Sequence, residues 1–256
     1  MTDIPEPVTR APEPPTEAEA VFGDQLGLAR RYADLLATTG ISHGLVGPRE
    51  APRLWERHLV NCAVMHELVP QDGELVDIGS GAGLPGIVLA IVRPDLHVHL
   101  VEPLLRRTVW LEETIGQLGL PNVTVHRGRA EEVSLPHPVP VATARAVASL
   151  DKLVRWSFPL LVPGGRLLAL KGEAAEDELA AVQPYLARLD VPGSRLHVVG
   201  EDRISEPVRV VEIERPDQLP ADLARTGRGA SGAHGAGGTN RKKKRRTAPR
   251  RTPRCD

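Results

Sequence analysis

Short apolar blocks alternate with polar and glycine-rich stretches through the middle of the chain. Blocks of this length, enriched in Val, Leu and Ile, are typical of buried parallel strands, and the amphipathic stretches between them predict helical crossovers. Two further blocks near the end predict an antiparallel hairpin. The pattern predicts an α/β fold with seven strands in a mostly parallel sheet. The predicted strands are 75–78, 97–102, 123–127, 139–145, 166–171, 195–199 and 208–214, and the predicted crossover helices are 87–92, 104–118, 150–161 and 174–189.

The ends of the chain have a different character. Residues 1–16 contain five prolines and few apolar side chains, which predicts disorder. Apolar residues at near-helical spacing predict a helix over 17–38 that ends at Gly40, and a second helix through 54–68. We therefore expect four parts. They are a disordered N-terminus (1–16), a small N-terminal helical extension (17–70), the α/β domain (71–216) and a disordered linker with a tail (217–256).

A glycine-rich motif follows the first predicted strand. Residues 75–86 are L-V-D-I-G-S-G-A-G-L-P-G, so that Asp77 precedes the alternating glycines Gly79, Gly81 and Gly83. Such a strand–loop–helix unit holds a nucleotide-like cofactor against backbone N–H groups in doubly wound folds. A dinucleotide loop has the spacing G-x-G-x-x-G, whereas the spacing here is G-x-G-x-G-x-x-G and favours S-adenosylmethionine. A dehydrogenase loop and a purely structural turn remain alternatives, and the missing Walker lysine excludes a P-loop.

Two acidic positions fall where such a cofactor needs them. Glu102 ends the second predicted strand, about 20 residues beyond the loop, where a carboxylate accepts both ribose hydroxyls; an ordinary strand-end acid is the alternative. Ala130 and Glu131 follow the third strand, where a backbone N–H and a side-chain acceptor would bracket the adenine edge, and Glu132 is equally plausible on chemistry alone.

Seven strands ending in a hairpin favour a class I methyltransferase, with a Rossmann-like sheet, over a dehydrogenase, which usually continues into a substrate domain.

The net charge of −1 conceals an uneven distribution. Residues 241–256 carry nine Lys and Arg and one acid, which leaves 23 basic and 32 acidic side chains in residues 1–240. A basic tail on an acidic body is a pattern of nucleic-acid contact, since such a tail neutralises phosphates without folding. A tail that only aids solubility is the alternative. The first six tail cations are Arg241, Lys242, Lys243, Lys244, Arg245 and Arg246.

Composition excludes several other classes of protein. Cys62 and Cys255 match no disulfide or metal-ligand spacing, so we expect no metal. No apolar run approaches the roughly 20 residues of a membrane span, and the N-terminus lacks the features of a secretory signal. We expect a soluble, cytoplasmic protein without membrane contact. The abundance of Ala, Leu, Val, Arg and Pro is typical of a high-GC genome.

Several motifs together resemble one family, the bacterial 16S rRNA 7-methylguanosine methyltransferases, also called RsmG or glucose-inhibited division protein B. The resemblance covers roughly residues 20–215, and the chain is similar to high-GC, actinobacterial members. Its motifs are V-D-I-G-S-G-A-G-L-P-G at 76–86, R-H-L at 57–59, R-P at 93–94, A-R-A at 144–146 followed by S-L at 149–150, and A-L-K-G at 169–172.

The resemblance implies a class I fold that uses S-adenosylmethionine to methylate N7 of the guanine at position 527 in 16S rRNA of the small ribosomal subunit, by a monomer. It implies cofactor contacts at Gly79, Leu84, Ala130, Glu131 and Arg145, and it aligns Glu102 with the acid near the ribose. The chain departs from the family pattern at residues 61–62, where many members have D-S after R-H-x-x, and at 38–40 and 44–46, where W-N and N-L-T are replaced. These departures put the RNA-docking details of the N-terminal part in doubt, and the basic tail is an addition.

The chemistry of the acceptor agrees with this implication. The chain lacks the Asn/Asp-Pro-Pro-aromatic turn of amino-group methylation, and neither cysteine lies where a nucleophile would be needed for cytosine C5. Guanine N7 has a free lone pair and needs no general base, and an unpaired guanine is the reachable substrate in RNA. A non-catalytic RNA-binding assembly factor, and a methyltransferase of another RNA or of a small molecule, are the alternatives.

Four basic residues near the predicted site are candidate cofactor or RNA contacts, and three of them have an alternative interpretation. Arg145 ends the fourth strand and is expected to face the methyl-transfer pocket, where it binds the methionine carboxylate or the RNA; a surface salt bridge is the alternative. Lys171 either holds a phosphate or caps its strand. Arg57 and His58 are candidate RNA contacts, and His58 is equally plausible as a core histidine.

Overall fold

The computed structural model describes residues 10–224 and shows a single seven-stranded sheet. The strand order is β3-β2-β1-β4-β5-β7-β6. Strands β1 to β5 pair in parallel, and β7 is antiparallel to both β5 and β6. The predicted mostly parallel sheet with its antiparallel hairpin is therefore confirmed. The strands are β1 Glu74–Ile78, β2 His97–Glu102, β3 Val123–Arg127, β4 Val139–Arg145, β5 Leu161–Lys171, β6 Ser194–Val199 and β7 Val208–Glu214.

Eight α-helical segments lie within the described residues. Those that connect the strands agree with the apolar pattern, and α5 ends at Gly119 in the left-handed conformation (φ 68°) that favours glycine after a helix. The helices are α1 Thr16–Phe22, α2 Leu26–Leu35, α3 Asn61–Ala63, α4 Gly86–Val92, α5 Leu105–Leu118, α6 Leu150–Ser157, α7 Ala175–Arg188 and α8 Ala221–Ala224.

The N-terminal helices are less regular than the sequence predicts. The helix expected over 17–38 is interrupted at Gly23, whose φ of 48° breaks the α-helical backbone. The segment expected to form a second helix begins with π-helical turns over Leu54–Val60 and ends with a 3₁₀ turn over Val64–Leu68. Within this part of the fold only short stretches are ideal α-helix.

The segment before α1 lacks regular secondary structure but is packed against the helices. The indole Nε1 of Trp55 donates to the carbonyl oxygen of Pro12 (2.7 Å), and the Ala11 amide donates to Asp34 Oδ1 (2.9 Å). Residues 10–15, which fall within the stretch predicted to be disordered (1–16), thus include two that are hydrogen-bonded to the N-terminal helices. Residues 1–9 lie outside the described residues.

The segment after β7 also differs from the expectation at its start. Within the stretch expected to be a disordered linker, α8 forms and Leu223 is only 2% exposed. Leu223 joins the core on the α6 and α7 side of the sheet, which orders the chain as far as residue 224. The rest of the tail lies outside the described residues.

The N-terminal helices and the sheet share one of two apolar cores. Tyr32, Leu36 and Leu59 pack in the same buried cluster as Ile87 on α4 and Trp110 on α5. The second cluster lies on the opposite face, under α6 and α7. The N-terminal helices thus complete one face of the domain. Within residues 10–224, no helix has the length and apolar character that crossing a bilayer requires.

Candidate active site

A cavity of about 720 Å³ opens where the carboxyl ends of β1, β2 and β4 meet. In α/β sheets this edge is where ligands bind, because the strand order reverses beside β1 and leaves a crevice. Eight of the twelve predicted site residues that the structure describes are brought together here. Those on the cavity wall are His58, Gly79, Gly81, Leu84, Glu102, Ala130, Glu131 and Arg145.

The glycines of the loop after β1 differ in what they approach. A Cβ at Gly79 (φ 69°) would lie 2.8 Å from Val147 Cγ1, so a side chain is excluded there by packing. A Cβ at Gly81 (φ 57°) would meet only the Gly79 carbonyl oxygen at 3.8 Å and Arg107 Nη1 at 4.0 Å. Gly81 therefore leaves open a part of the wall that any side chain would fill, which fits a ligand resting against the backbone.

Glu102 is held beneath the loop by three donors. Its carboxylate is buried at 1% exposure. Oε2 accepts from the Gly81 amide (3.0 Å) and lies 3.5 Å from Arg107 Nη1, while Oε1 accepts from the Leu104 amide (3.0 Å). Because a carboxylate offers about four acceptor sites, it retains capacity for a hydroxyl from the cavity. The geometry is compatible with the predicted contact to a ribose.

Asp77 and Gly83, two further predicted cofactor contacts, are not on the cavity wall. Asp77 is fully buried, and its Oδ2 accepts from the Gly86 amide (3.1 Å) while Oδ1 accepts from Thr143 Oγ1 (3.3 Å). A Cβ at Gly83 would collide with the Ile87 side chain. Both residues therefore shape the loop and its junction with α4 without lining the cavity.

Burial raises the pKa of Asp77 to about 7, although hydrogen bonds from Gly86, Ser80 and Thr143 lower it. Because the pKa in the folded protein lies above the unfolded value of 3.8, the stability due to this group is complete below pH 3.8. It is lost as pH rises towards and through 7. Asp77→Asn keeps an acceptor for Gly86 and does not titrate. We expect its free energy of unfolding to gain roughly 2 to 3 kcal/mol relative to the wild type between pH 5 and pH 8.

Urea unfolding of both proteins at the two pH values measures this difference. Thr143→Val is a useful control, because it removes one hydrogen bond to the carboxylate but leaves the titrating group in place. If the free energy of unfolding of Asp77→Asn differs from that of the wild type by the same amount at pH 5 and at pH 8, Asp77 does not titrate in this range.

Ala130 and Glu131 lie after β3 as predicted. Both line the cavity, and no described residue accepts from the Ala130 amide or pairs with the Glu131 carboxylate. A backbone donor and a side-chain acceptor that have no partner among the described residues thus belong to adjacent residues of the cavity wall. Glu132 does not line the cavity, and its amide donates to the Arg129 carbonyl oxygen (2.9 Å). Of the two alternatives, the geometry favours Glu131.

Arg145 extends from the end of β4 to the N-terminal helical segment. Its Nη1 donates to Cys62 Sγ (3.3 Å), and its Nη2 donates to the Arg57 carbonyl oxygen (3.2 Å) and to His58 Nδ1 (2.5 Å). Burial raises the pKa of the Cys62 thiol, so the sulfur is a neutral acceptor. Arg145 lines the cavity as predicted, but three of its N–H groups serve contacts within the protein.

The other candidate RNA contacts have partners inside the chain. Lys171 Nζ lies 2.7 Å from Glu178 Oε2 and donates to the Ala148 carbonyl oxygen (3.1 Å), and it is not on the cavity wall. Arg57 is about half exposed and lies 3.8 Å from Glu50 Oε1. The tail cations, from Arg241 onward, lie outside the described residues.

Several wall residues were not predicted from the sequence. They come from residues 45–50 before the second helical stretch, from the first turn of α5, from the loop after β3, and from α6. Of these, Arg107 carries a sequence signal, since it lies five residues beyond Glu102, near the start of the predicted helix, where an ion pair with the strand-end acid is possible. The unpredicted wall residues include Leu45, Val46, Gly47, Glu50, Arg107, Arg129 and Trp156.

The strand order, the glycine loop after β1 and the acid at the end of β2 define a class I S-adenosylmethionine-dependent methyltransferase fold. The crystal structure of the S-adenosylmethionine-dependent methyltransferase SibL in its apo form shares this fold. It has a TM-score of 0.53 and 18% sequence identity over 78% of this chain and 70% of that one.

The family model described as rRNA small subunit methyltransferase G matches residues 25–203. The chain is 53% identical over 227 residues to ribosomal RNA small subunit methyltransferase G of Streptomyces coelicolor, covering 85% of this chain and 95% of that protein. It is 54% identical over 200 residues to the protein of the same name from Thermobifida fusca, covering 78% and 84% of the two chains. This chain belongs to the rRNA small subunit methyltransferase G family, and the resemblance found in its motifs is confirmed.

Proposed function

We propose that this chain transfers the methyl group of S-adenosylmethionine to N7 of a guanine in 16S rRNA of the small ribosomal subunit. The proposal is supported by the family match and by relatives whose names specify ribosomal RNA of the small subunit. The observation that carries the cofactor assignment is the open wall at Gly81 directly above the anchored Glu102 carboxylate.

The wall residues fit each part of the cofactor. Glu102 would accept the ribose hydroxyls, and the Ala130 amide with the Glu131 carboxylate would bind the adenine edge. Gly79 and Leu84 would line the remaining length, with Gly81 leaving space for close approach. When bound, S-adenosylmethionine supplies a methyl group that its sulfonium charge activates for transfer. The protein then has to orient the cofactor and the acceptor and to exclude water from the cavity.

The acceptor needs no proton removed, and the wall is compatible with that chemistry. Glu102 is bound by two amides and Arg107, while Glu50 lies 2.9 Å from His58 Nε2. These two carboxylates are engaged in structural contacts, and the third carboxylate of the wall, that of Glu131, would be occupied by the adenine edge. Because guanine N7 presents a lone pair directly, alignment with the methyl group suffices. We expect the rate of the chemical step to vary little between about pH 6.5 and 8.5.

The decisive experiment uses small subunits from cells that lack this protein. Incubation with the purified chain and tritiated S-adenosylmethionine should place label in 7-methylguanosine of 16S rRNA, as determined by nucleoside mapping. Subunit binding without label would indicate a non-catalytic assembly factor, and label in another nucleoside would indicate a different acceptor. Calorimetry should show that S-adenosylmethionine binds and that NAD does not.

We further propose that the basic tail, residues 241–256, adds affinity for RNA without specifying its sequence. If about four to six of its nine cations engage phosphates, truncation to residues 1–240 should lower the slope of log K against log salt by roughly 3 to 4. Cofactor affinity should not change, because the proposed cofactor site lies within the folded domain. Methylation at saturating subunit concentration should also survive.

RNA binding across a salt series measures this slope for both proteins. A full-length variant with the nine tail cations replaced by glutamine separates charge from chain length and should match the truncated protein. Equal slopes for all three proteins would show that the tail is solvated and does not contact RNA phosphates. Lost turnover at saturation would instead assign the tail a role in positioning the guanine.

A further inference from the structure

A guanidinium from the first turn of α5 lies at the corner of the cavity where the glycine loop meets the end of β2. Arg107 Nη1 is 3.5 Å from Glu102 Oε2 and would lie 4.0 Å from a Cβ at Gly81. All three residues line the cavity. Arg107 is therefore next to the part of the wall that is proposed to receive the ribose of the cofactor.

The two ends of this ion pair differ in their exposure. Among the described residues, Arg107 is the only side chain that pairs with Glu102, whose other donors are the amides of Gly81 and Leu104. The side chain of Glu102 is only 2% exposed, whereas that of Arg107 is 33% exposed. The pair thus has a buried carboxylate at its inner end and a guanidinium that reaches the cavity at its outer end.

One group of Arg107 is in an unfavourable environment. Its Nε is buried and has no acceptor among the described residues, and a buried donor without a partner is destabilising. An arginine that served only the surface could turn outwards and hydrate this group. Because the attraction between charges is strong where water is excluded, the buried Glu102 carboxylate explains why the side chain stays against the wall.

The guanidinium keeps donors that the protein does not use. It has five N–H groups, and no described residue accepts from its Nη2. A hydroxyl both donates and accepts, so a ribose hydroxyl could donate its hydrogen to Glu102 and accept from Arg107. A carboxylate and a guanidinium side by side therefore match both functions of a sugar hydroxyl.

We propose that Arg107 is a cofactor-binding residue that recognises the ribose hydroxyls of S-adenosylmethionine together with Glu102. This inference rests on the proposed function, of which it uses only the cofactor. It adds a side-chain donor to a subsite for which the sequence indicates an acceptor alone. The contribution of Arg107 to affinity then requires the hydroxyls, and this requirement separates recognition from a structural role.

Calorimetry with S-adenosylhomocysteine, the demethylated product, tests this requirement without RNA. Arg107→Met keeps much of the length of the side chain and removes its donors. We expect the affinity to fall about ten- to a hundredfold, the range for one hydrogen bond to a charged group. For the dideoxy analogue that lacks both ribose hydroxyls, Arg107→Met should bind within about twofold of the wild type. An equal loss for both ligands would make Arg107 a structural residue and overturn the inference.

Arg106→Met is the matched control for charge. Arg106 is exposed, lies outside the cavity wall and has no ion-pair partner among the residues that the structure describes. Its replacement changes the net charge by the same amount at the neighbouring position, and the affinity for S-adenosylhomocysteine should stay within about twofold of the wild type. Equal losses in the two variants would indicate a long-range effect of charge and overturn the inference.

Arg107→Lys keeps the test decisive if Arg107→Met does not fold. An ammonium preserves the charge next to Glu102 but lacks the planar fork that reaches the carboxylate and a hydroxyl together. It should show a smaller loss that is again confined to S-adenosylhomocysteine, and unchanged affinity for both ligands would overturn the inference. A wild type that does not bind S-adenosylhomocysteine would contradict the proposed function instead. If the wild type binds and the variants are indistinguishable from it, only the role of Arg107 is contradicted.

Discussion

Replacing Gly81 by valine is expected to abolish binding of S-adenosylmethionine. Apart from its two chain neighbours, a Cβ at this position meets no protein atom closer than 3.8 Å, and Gly81 lies on the cavity wall with Glu102. The branched side chain would fill the space in which the ribose must approach the loop. Overpacking a fitted site costs about 3 kcal/mol at the upper end of the usual range, which is a loss of at least about a hundredfold in affinity. Calorimetry measures the loss.

Backbone strain complicates this substitution, because Gly81 has a φ of 57°. Gly119→Val provides a matched control. Its φ is 68°, and a Cβ there meets no atom within 4 Å, but it lies at the end of α5 and not on the cavity wall. Both variants should lose about 1 to 2 kcal/mol of stability through the left-handed backbone. Only Gly81→Val should lose the cofactor, and equal binding by the two variants would remove Gly81 from the site.

Replacing Arg145 by alanine is expected to lower methyl transfer at least about a hundredfold, because several charge-assisted hydrogen bonds are lost together. The fold should persist. The acceptors that Arg145 leaves behind are a thiol, a carbonyl oxygen and an imidazole nitrogen next to an open cavity, where water can replace the guanidinium. Single-turnover methylation and thermal unfolding, measured on the same preparation, separate the two effects.

Arg155→Ala is the control for charge. Arg155 is an exposed arginine of α6 outside the cavity wall, and its loss should leave turnover within about twofold, since exposed charges contribute little. Arg145→Lys should be intermediate, because an ammonium keeps the charge but cannot reach the three acceptors together. Wild-type turnover in Arg145→Ala would exclude that residue from the site.

The order of strands and crossover helices could be predicted because each carries its own signal. The apolar residues Val98, Leu100 and Val101 within the predicted strand 97–102, and Gly119 after α5, are local signals that agree with the observed elements. Local patterns fail where a distant contact decides the structure. Residues 10–15 are fixed because Trp55 donates to Pro12, 43 positions away. The predicted strand 166–171 begins earlier, at Leu161, where β4 provides the partner.

The residues of the candidate site could likewise be predicted where a local signal places them, and not where a distant contact does. Glu102 and Glu131 follow predicted strands, and so their position at the sheet edge follows from topology. Asp77 and Gly83 belong to the glycine-rich motif, but they support the loop and do not line the cavity, which spacing alone cannot reveal. The bond between His58 and Arg145 joins residues 87 positions apart. No periodicity encodes such a pair, and only the folded chain brings the two residues together.

Tyr32, buried in the core beneath the glycine loop, gives this fold a further property. Its hydroxyl donates to the Ala82 carbonyl oxygen at 2.5 Å, and burial raises its pKa well above 10, so the proton stays on the oxygen. Any ligand that immobilises the loop thereby also restrains α2. Amide hydrogen exchange in Leu26–Leu35 should slow when the cavity fills, although the helix lies outside its wall. Binding of a ligand in the cavity would then be detectable as slower exchange in α2, a helix that precedes the entire sheet in sequence.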